Sequence, residues 1–199
     1  MSKRITKLIL VEPIGSINLG SVARLCENFG VSELRLVSPR CNPNDPQAIR
    51  MAVKGAKILK EANKYSSLLE AIKDCPRVIA TCGRKDHGDI PLQKCNEALS
   101  WLMQSQEETP LALVFGREDR GLTNQELLMA NKIITIETTE TYPSLNISHA
   151  VAIVLHELNK YVVKESTKRF IKVSNPASPK QLNDFSNDAE KLLLDIGFL

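Results

Sequence analysis

The sequence predicts an α/β fold, a parallel sheet with helices on both faces, followed by a linker and a last helix. Three observations lead there. Short, nearly continuous apolar runs recur along the chain, as in strands buried on both faces. Segments of helical periodicity separate them, which is the crossover that parallel strands require. Polar, glycine-bearing loops follow the runs, and in such sheets ligands bind beyond the carboxyl ends of the strands. A chain of 199 residues holds one well-buried domain and an appendage, so residues 1–164 are expected to form the domain and 165–199 the extension.

Taken in order, ITKLILV (5–11) reads as a buried strand. A helix from about Asn18 to Phe29 follows, with Val22, Leu25, Cys26 and Phe29 as its apolar stripe. Strand ELRLV (33–37) leads through a Pro-rich loop to helical stretches near 46–60 and 66–74. Strand RVIAT (77–81), a polar loop and a helix around Asn96–Gln106 come next. LALVF (111–115) is a strand bounded by Pro110 and Gly116, and Thr123 with Glu126 forms a capping box for a short helix at 124–130. Strand KIITIE (132–137) precedes a turn and a long helix from about Leu145 to Lys164. Residues 165–180 read as a linker, and Ser178 and Pro179 suit the N-cap and first position of a helix ending near Ile196. Its apolar face (Leu182, Phe185, Ala189, Leu192, Leu193 and Ile196) must be buried on the core or on a second chain.

The apolar share of 43% and charged share of 25% are those of an ordinary globular protein, and no apolar run approaches a bilayer span. The basic start MSKRITK is followed by no signal-peptide core. Five cysteines without a C-x-x-C pair or a histidine at metal spacing argue against a disulfide scaffold and a metal centre, and suit a cytoplasmic location. The net charge is +3, but from Arg35 to Lys60 six basic residues face Asp45 alone. Arg50, Lys54 and Lys57 fall at helical spacing, which suits either a phosphate-tracking stripe or a solvated face.

IGSINLGSVARLCENFG (14–30) has the glycine spacing of a phosphate loop, yet Ser21 stands where its lysine belongs. ATP chemistry is therefore disfavoured. Arg24 lies roughly 200° around the helix from Val22, facing away from the core, toward a partner, a substrate or water. Four loops leave carboxyl strand ends: EPIGSINLGSVAR, TCGRKDHGD, GREDRGL and TTETYPSLN. Each taken alone suits structural duty. Gly116 and Gly121 suit turns, Ser144 or Asn146 suits a helix cap, and Glu118-Asp119 lacks the further ligands a metal would need. His149 and His156, seven apart on one helix, read as packed or exposed rather than catalytic.

NLGSVAR (18–24), VFGREDRGLTNQEL (114–127) and YPSLNISHAVAIVLHEL (142–158) resemble, in order and spacing, the three motifs of the SpoU branch of the SPOUT RNA methyltransferases. Within that branch the chain most resembles the bacterial TrmJ type, which implies 2′-O-methylation of nucleotide 32, opening the tRNA anticodon loop. The C-terminal helix resembles that type's extension, where a further segment follows, whereas this chain stops at Leu199.

The resemblance implies a C-terminal trefoil knot, a homodimer and S-adenosylmethionine as cofactor, with RNA, and tRNA before other RNAs, as substrate. By motif position, Thr81, Cys82, Gly83, Gly116, Ile136, Pro143, Ser144 and Leu145 would hold the cofactor. Arg24 would be the catalytic arginine, with Asn18 holding it from the helix start, Glu118 bracing the loop or Arg24, and Ser144 and Asn146 orienting the ribose and the cofactor loop. Because a guanidinium stays protonated, its expected work is a grip on a phosphate and on the developing alkoxide rather than proton removal. Arg84 and Tyr142 are candidates for RNA contact, joined by Arg50, Lys54 and Lys57. Two other readings stay open at this point: methylation of ribosomal RNA or another tRNA site, and a non-catalytic RNA-binding dimer.

Overall fold

A computed structural model describes residues 5–84, 87–104, 109–139, 141–163 and 179–198. The chain divides into two compact units, Met1–Glu165 and Ser166–Leu199. In the first, seven strands form one parallel sheet: β1 (Thr6–Val11), β2 (Glu33–Val37), β3 (Asn63–Tyr65), β4 (Arg77–Thr81), β5 (Gln93–Lys94), β6 (Leu111–Phe115) and β7 (Lys132–Thr135). Their order is β3-β2-β1-β6-β4-β7-β5, so β6 lies between β1 and β4. Register follows the apolar runs, with Leu8 opposite both Leu34 and Leu113.

Alternation along β1 separates two cores. Leu8 and Leu10 pack with α1 (Ser16–Phe29), α2 (Pro46–Ala52), α3 (Ala56–Lys60), α5 (Cys95–Met103) and α7 (Ile147–Val163). Ile9 and Val11 face the opposite side, covered by α4 (Leu68–Ile72) and α6 (Asn124–Leu127). The parallel sheet with helices on both faces is thus present.

Local chemistry explains the boundaries. α1 begins at Ser16, two residues before the expected Asn18, with Gly15 as its N-cap. It ends in a Schellman turn: Val31 N–H donates to Cys26 O at 2.9 Å, and Gly30 adopts φ 65°. Leu19, Gly20 and Ala23 join Val22 and Cys26 in the core, while Leu25 and Phe29 are only partly buried. The expected helix over 46–60 is broken. Asp45 caps α2, accepting from Gln47 N–H at 2.7 Å, but Val53 takes φ 52° and a 3-10 turn over Val53–Gly55 precedes α3. That break lets Gly55 press against α1, where a β-carbon would lie 2.4 Å from Ala23 O. The stretch near 66–74 narrows to α4, and β7 stops before Ile136. α6 ends at Leu127, and α7 begins at Ile147 rather than Leu145. α5 stops at Met103, with Gln104 as its C-cap, short of the expected end near Gln106, while the expected linker over 165–178 and the Ser178 cap lie outside the described residues. The second unit contributes α8 (Pro179–Asp195), on which Phe185, Leu192 and Leu194 are exposed, as is Ile196 just beyond its end.

Arg35 is not a surface cation. It is buried beside Lys7 on the α4 side, and both meet Asp74 (2.6 and 2.5 Å), with Glu33 bridging to Arg35 at 2.9 Å and Lys7 at 3.4 Å. Hydrogen bonds from Arg35 hold the Asp74 carboxyl far below its usual range, against the opposing effect of burial, and Lys7 adds to them. Because the folded state lowers this pKa, its stabilisation is full above about pH 4 and is lost as pH falls further. Asp74→Asn is expected to cost about 2 kcal/mol at neutral pH, less than for a fully buried pair because Asp74 is half exposed. In urea titrations the gap from the parent protein should narrow below about pH 4. A gap that persists unchanged to pH 2 would exclude this origin.

Candidate functional site

Three strands deliver loops to one rim. Beyond the carboxyl ends of β4, β6 and β7 lies a cleft of about 590 Å³. Thr81, Cys82 and Gly83 line it after β4, Gly116 after β6, and Ile136, Pro143, Ser144 and Leu145 between β7 and α7. All eight positions assigned by motif therefore share one cavity.

Each wall has a local cause. Cys82 is buried, its N–H donating to Ile134 O at 2.8 Å, and Thr81 Oγ1 donates to Val114 O at 3.2 Å, so the β4 loop is pinned to its neighbours. Gly83 has open space where a side chain would stand, leaving its main chain approachable. Gly116 works by close approach: a β-carbon there would lie 2.3 Å from the Gly121 and Leu122 backbone. Gly121 instead supplies the positive φ (68°) that closes the Arg117–Gly121 turn, whose N–H donates to Arg117 O at 2.9 Å. On the third wall, Thr138 Oγ1 donates to Pro143 O at 3.1 Å and holds the loop before α7. Ile134, Ile136, Leu145 and Ile147 make an apolar side suited to an aromatic ring.

The fourth loop, after β1, does not line the cleft but is tied to its edge. Glu118 accepts from Ile14 N–H and Gly15 N–H, both at 3.0 Å, and from Asn18 Nδ2 at 3.3 Å. Its carboxylate thus sits at the positive end of the α1 dipole, held by the two N–H groups that precede the helix. Asn146 Nδ2 in turn donates to Asn18 Oδ1 at 2.9 Å, while Asn146 Oδ1 accepts from Ser148 N–H at 2.9 Å and caps α7. Glu118 thus braces the α1 entry loop, and both its oxygens are engaged by N–H donors. The neighbouring Asp119 is paired with Arg117. Asn18, Glu118 and Asn146 form one hydrogen-bonded chain from the cleft loops to the helix that bears Arg24.

Arg24 itself is exposed on the outer face of α1 and is not among the residues lining the cleft. Ser144 is exposed at the lip. Arg84 lines the cavity and donates from Nη2 to Asn124 Oδ1 at 2.6 Å. Tyr142, 78% exposed, stands just before the lining loop. Arg50, Lys54 and Lys57 are all exposed, but they sit on α2, the 3-10 turn and α3, so they form no single helical stripe. The positive φ that divides them falls on Val53, a β-branched residue that gives no turn signal, and Gly55 is the only mark of the break in the sequence. His149 and His156 are exposed on α7. Motif reading passed over Arg117, Arg120, Leu122 and Thr123, which also line the cavity. Their position inside the GREDRGLT loop was the available signal.

Comparison with known proteins is consistent across sequence and structure. The family model described as SpoU rRNA Methylase matches residues 6–156. The tRNA (cytidine-2′-O-)-methyltransferase TrmJ of Methanocaldococcus jannaschii is 36% identical over 195 residues, covering 93% of this chain and 83% of that protein. The tRNA (cytidine/uridine-2′-O-)-methyltransferase TrmJ of Pectobacterium atrosepticum is 34% identical over 197 residues, with 97% and 80% covered. The solved structure of a probable methylase family protein from Haemophilus influenzae Rd KW20 superposes with a TM-score of 0.74 at 32% identity, covering 100% of this chain and 82% of that one.

Proposed function

The chain belongs to the SpoU rRNA methylase family, and from that membership we propose that it methylates ribose 2′-hydroxyls of tRNA using S-adenosylmethionine, at the nucleotide opening the anticodon loop. The observation that carries this reading is the convergence of all eight motif-assigned cofactor positions on one cavity, beside the Asn18–Glu118–Asn146 chain. The cavity fits the cofactor's chemistry, with an apolar wall for a purine and small residues exposing main-chain donors and acceptors for a sugar. Bound there, the cofactor supplies an electrophilic sulfonium methyl.

The chain's own groups prepare the acceptor. Ser144 at the lip orients the ribose, and Asn146 fixes the loop that carries it. Arg24 grips a neighbouring phosphate with its planar fork and stabilises negative charge on the ribose oxygen during attack. The hydroxyl proton passes to phosphate oxygen or water. Since Arg24 stands outside its own chain's cleft, we assign it to the cleft of a second copy. Ile17, half exposed, shares its face of α1 at the i, i+4, i+7 spacing Ile17/Ser21/Arg24, and Met51 and Val53 are exposed nearby. Exposed apolar side chains beside an arginine suit a homodimer interface. A trefoil knot in the β6–α7 region and a cytoplasmic setting belong to the same reading.

Arg50, Lys54 and Lys57 would meet phosphates as separate points. Replacing all three with alanine is expected to flatten the dependence of log affinity on log salt by up to about 2, at ~0.7 per lost contact with single-stranded RNA. An unchanged slope would return them to plain solvation. The direct test of function maps ribose methylation across total RNA from cells with and without the protein. Loss of one methyl in the anticodon loop is the expected result. Loss confined to ribosomal RNA would redirect the substrate, and no change in any RNA would overturn the assignment.

A further inference from the structure

A cluster beside the cleft has no part in the mechanism above. Arg40, from the loop after β2, donates to Glu12 Oε2 from Nε at 2.8 Å and pairs through Nη2 at 2.7 Å. Arg117 and Arg120, from the loop after β6, reach the same carboxylate at 2.9 and 3.3 Å. Asp119 closes on Arg117 at 2.5 Å. Three guanidiniums therefore face two carboxylates, which leaves one positive charge at this spot.

The three arginines are not equivalent. Arg117 is held on two sides and its side chain is 12% exposed. Arg40 and Arg120 expose 54% and 41% of theirs. Arg40 spends its Nε/Nη2 edge on Glu12, and Arg120 spends a single Nη, so among the described residues the remaining side-chain N–H groups of both stay available. The platform is also built in advance. Arg40 N–H and Cys41 N–H both donate to Pro13 O, at 3.0 and 3.1 Å, which fastens the two loops together. Glu12 N–H donates to Val37 O at 2.8 Å while the residue holds φ 48°, uncommon outside glycine. Burial would raise the Glu12 carboxyl, but hydrogen bonds from Arg117 and Arg40 outweigh it and keep it ionised. Gathering exposed like charges on one acceptor is unfavourable unless an anion completes the set. A phosphate has the geometry to accept from two guanidinium forks together.

We propose that Arg40 and Arg120, collected on Glu12 and steadied by Arg117, bind a backbone phosphate of the RNA substrate next to the nucleotide being methylated. The location supports this, since Arg117 and Arg120 also line the cleft and an anion between Arg40 and Arg120 would lie at its border. The proposal rests on the methyltransferase reading, and its ligand is distinct from the phosphate assigned to Arg24.

The test is the double variant Arg40→Ala/Arg120→Ala, assayed as the full chain with purified bulk tRNA, alongside calorimetry with S-adenosylmethionine alone. The expected outcome is tRNA affinity lowered about tenfold or more near 0.1 M salt and a salt slope flattened by ~0.7, with cofactor affinity unchanged in the single variant Arg40→Ala, whose side chain does not line the cleft. A double variant that binds tRNA with parental affinity and slope overturns the proposal while leaving the function intact. Weakened cofactor binding with normal tRNA binding overturns it too, and assigns the cluster to the cofactor's own carboxylate. A parental protein that neither binds tRNA nor transfers methyl overturns both readings. The single change Glu12→Gln keeps the side chain's shape but loosens the gathering, and should reproduce part of the tRNA loss with an unchanged unfolding midpoint for the double variant as the folding control.

Discussion

Arg24→Lys is expected to lower methyl transfer to tRNA by ~10²–10³ while leaving S-adenosylmethionine affinity near the parental value. Lysine keeps the charge but loses the planar, bidentate fork, so the loss measures geometry rather than electrostatics. Single-turnover transfer from labelled cofactor reads the first quantity and calorimetry the second. A lysine variant that transfers methyl at the parental rate would remove Arg24 from the chemistry. Because this side chain is absent from the lining of its own cleft, a mixing experiment separates the two chains' contributions. Arg24→Ala subunits and Leu145→Arg subunits should each be inactive. Mixed and reassorted in equal amounts, they should regain about a quarter of parental activity, since half the dimers would then hold one complete site of two. Failure to complement would place the arginine's action within one chain.

Gly20→Ala and Gly55→Ala are expected to destabilise the protein by about 3 kcal/mol each, through backbone overlap rather than lost chemistry. For Gly20 two effects oppose. Alanine gains about 1 kcal/mol of helix propensity in the interior of α1. Its β-carbon, however, would lie 2.2 Å from Ala48 O and 2.9 Å from Met51 Cβ, so α1 and α2 would have to part. The clash should win, and the sign of the change decides between them. At Gly55 the overlap falls on Ala23 O and on Arg24 N (2.8 Å), so the helix turn bearing the arginine would move. Gly83→Ala, where nothing lies within 4 Å, serves as control and should change stability by no more than ~0.5 kcal/mol. Urea midpoints measure all three. A stabilised Gly20→Ala would show that the helices can separate at little cost.

The long buried strands were legible because burial on both faces writes a continuous apolar run, as in LILV of β1 and LALVF of β6. β3 and β5 were not, since Asn63-Lys64-Tyr65 and Gln93-Lys94 are short edge strands whose polar side chains carry no such run. The break after α2 escaped because Val53 takes a left-handed φ in a sequence that offers no glycine there. The cleft was visible through the motifs that line it, whose residues are local in sequence. The Glu12 cluster was not, because Arg40, Arg117 and Arg120 come together only when β1, β2 and β6 lie side by side. Arg35, one of the six basic residues between 35 and 60, is for the same reason committed out of sight of the sequence, to Glu33 on β2 and Asp74 just after α4.

The bond from Asn146 to Asn18 joins the loop before α7, beside the cavity of one chain, to the helix bearing Arg24, the arginine proposed to serve a second copy. In a dimer built that way, filling or emptying one cavity tugs on the group needed next door, so the twin sites should load unequally. Titrating the parental dimer with cofactor should then give two distinguishable affinities, and Asn18→Ala should merge them into one. Two identical, independent affinities in the parental dimer would show that the link transmits nothing.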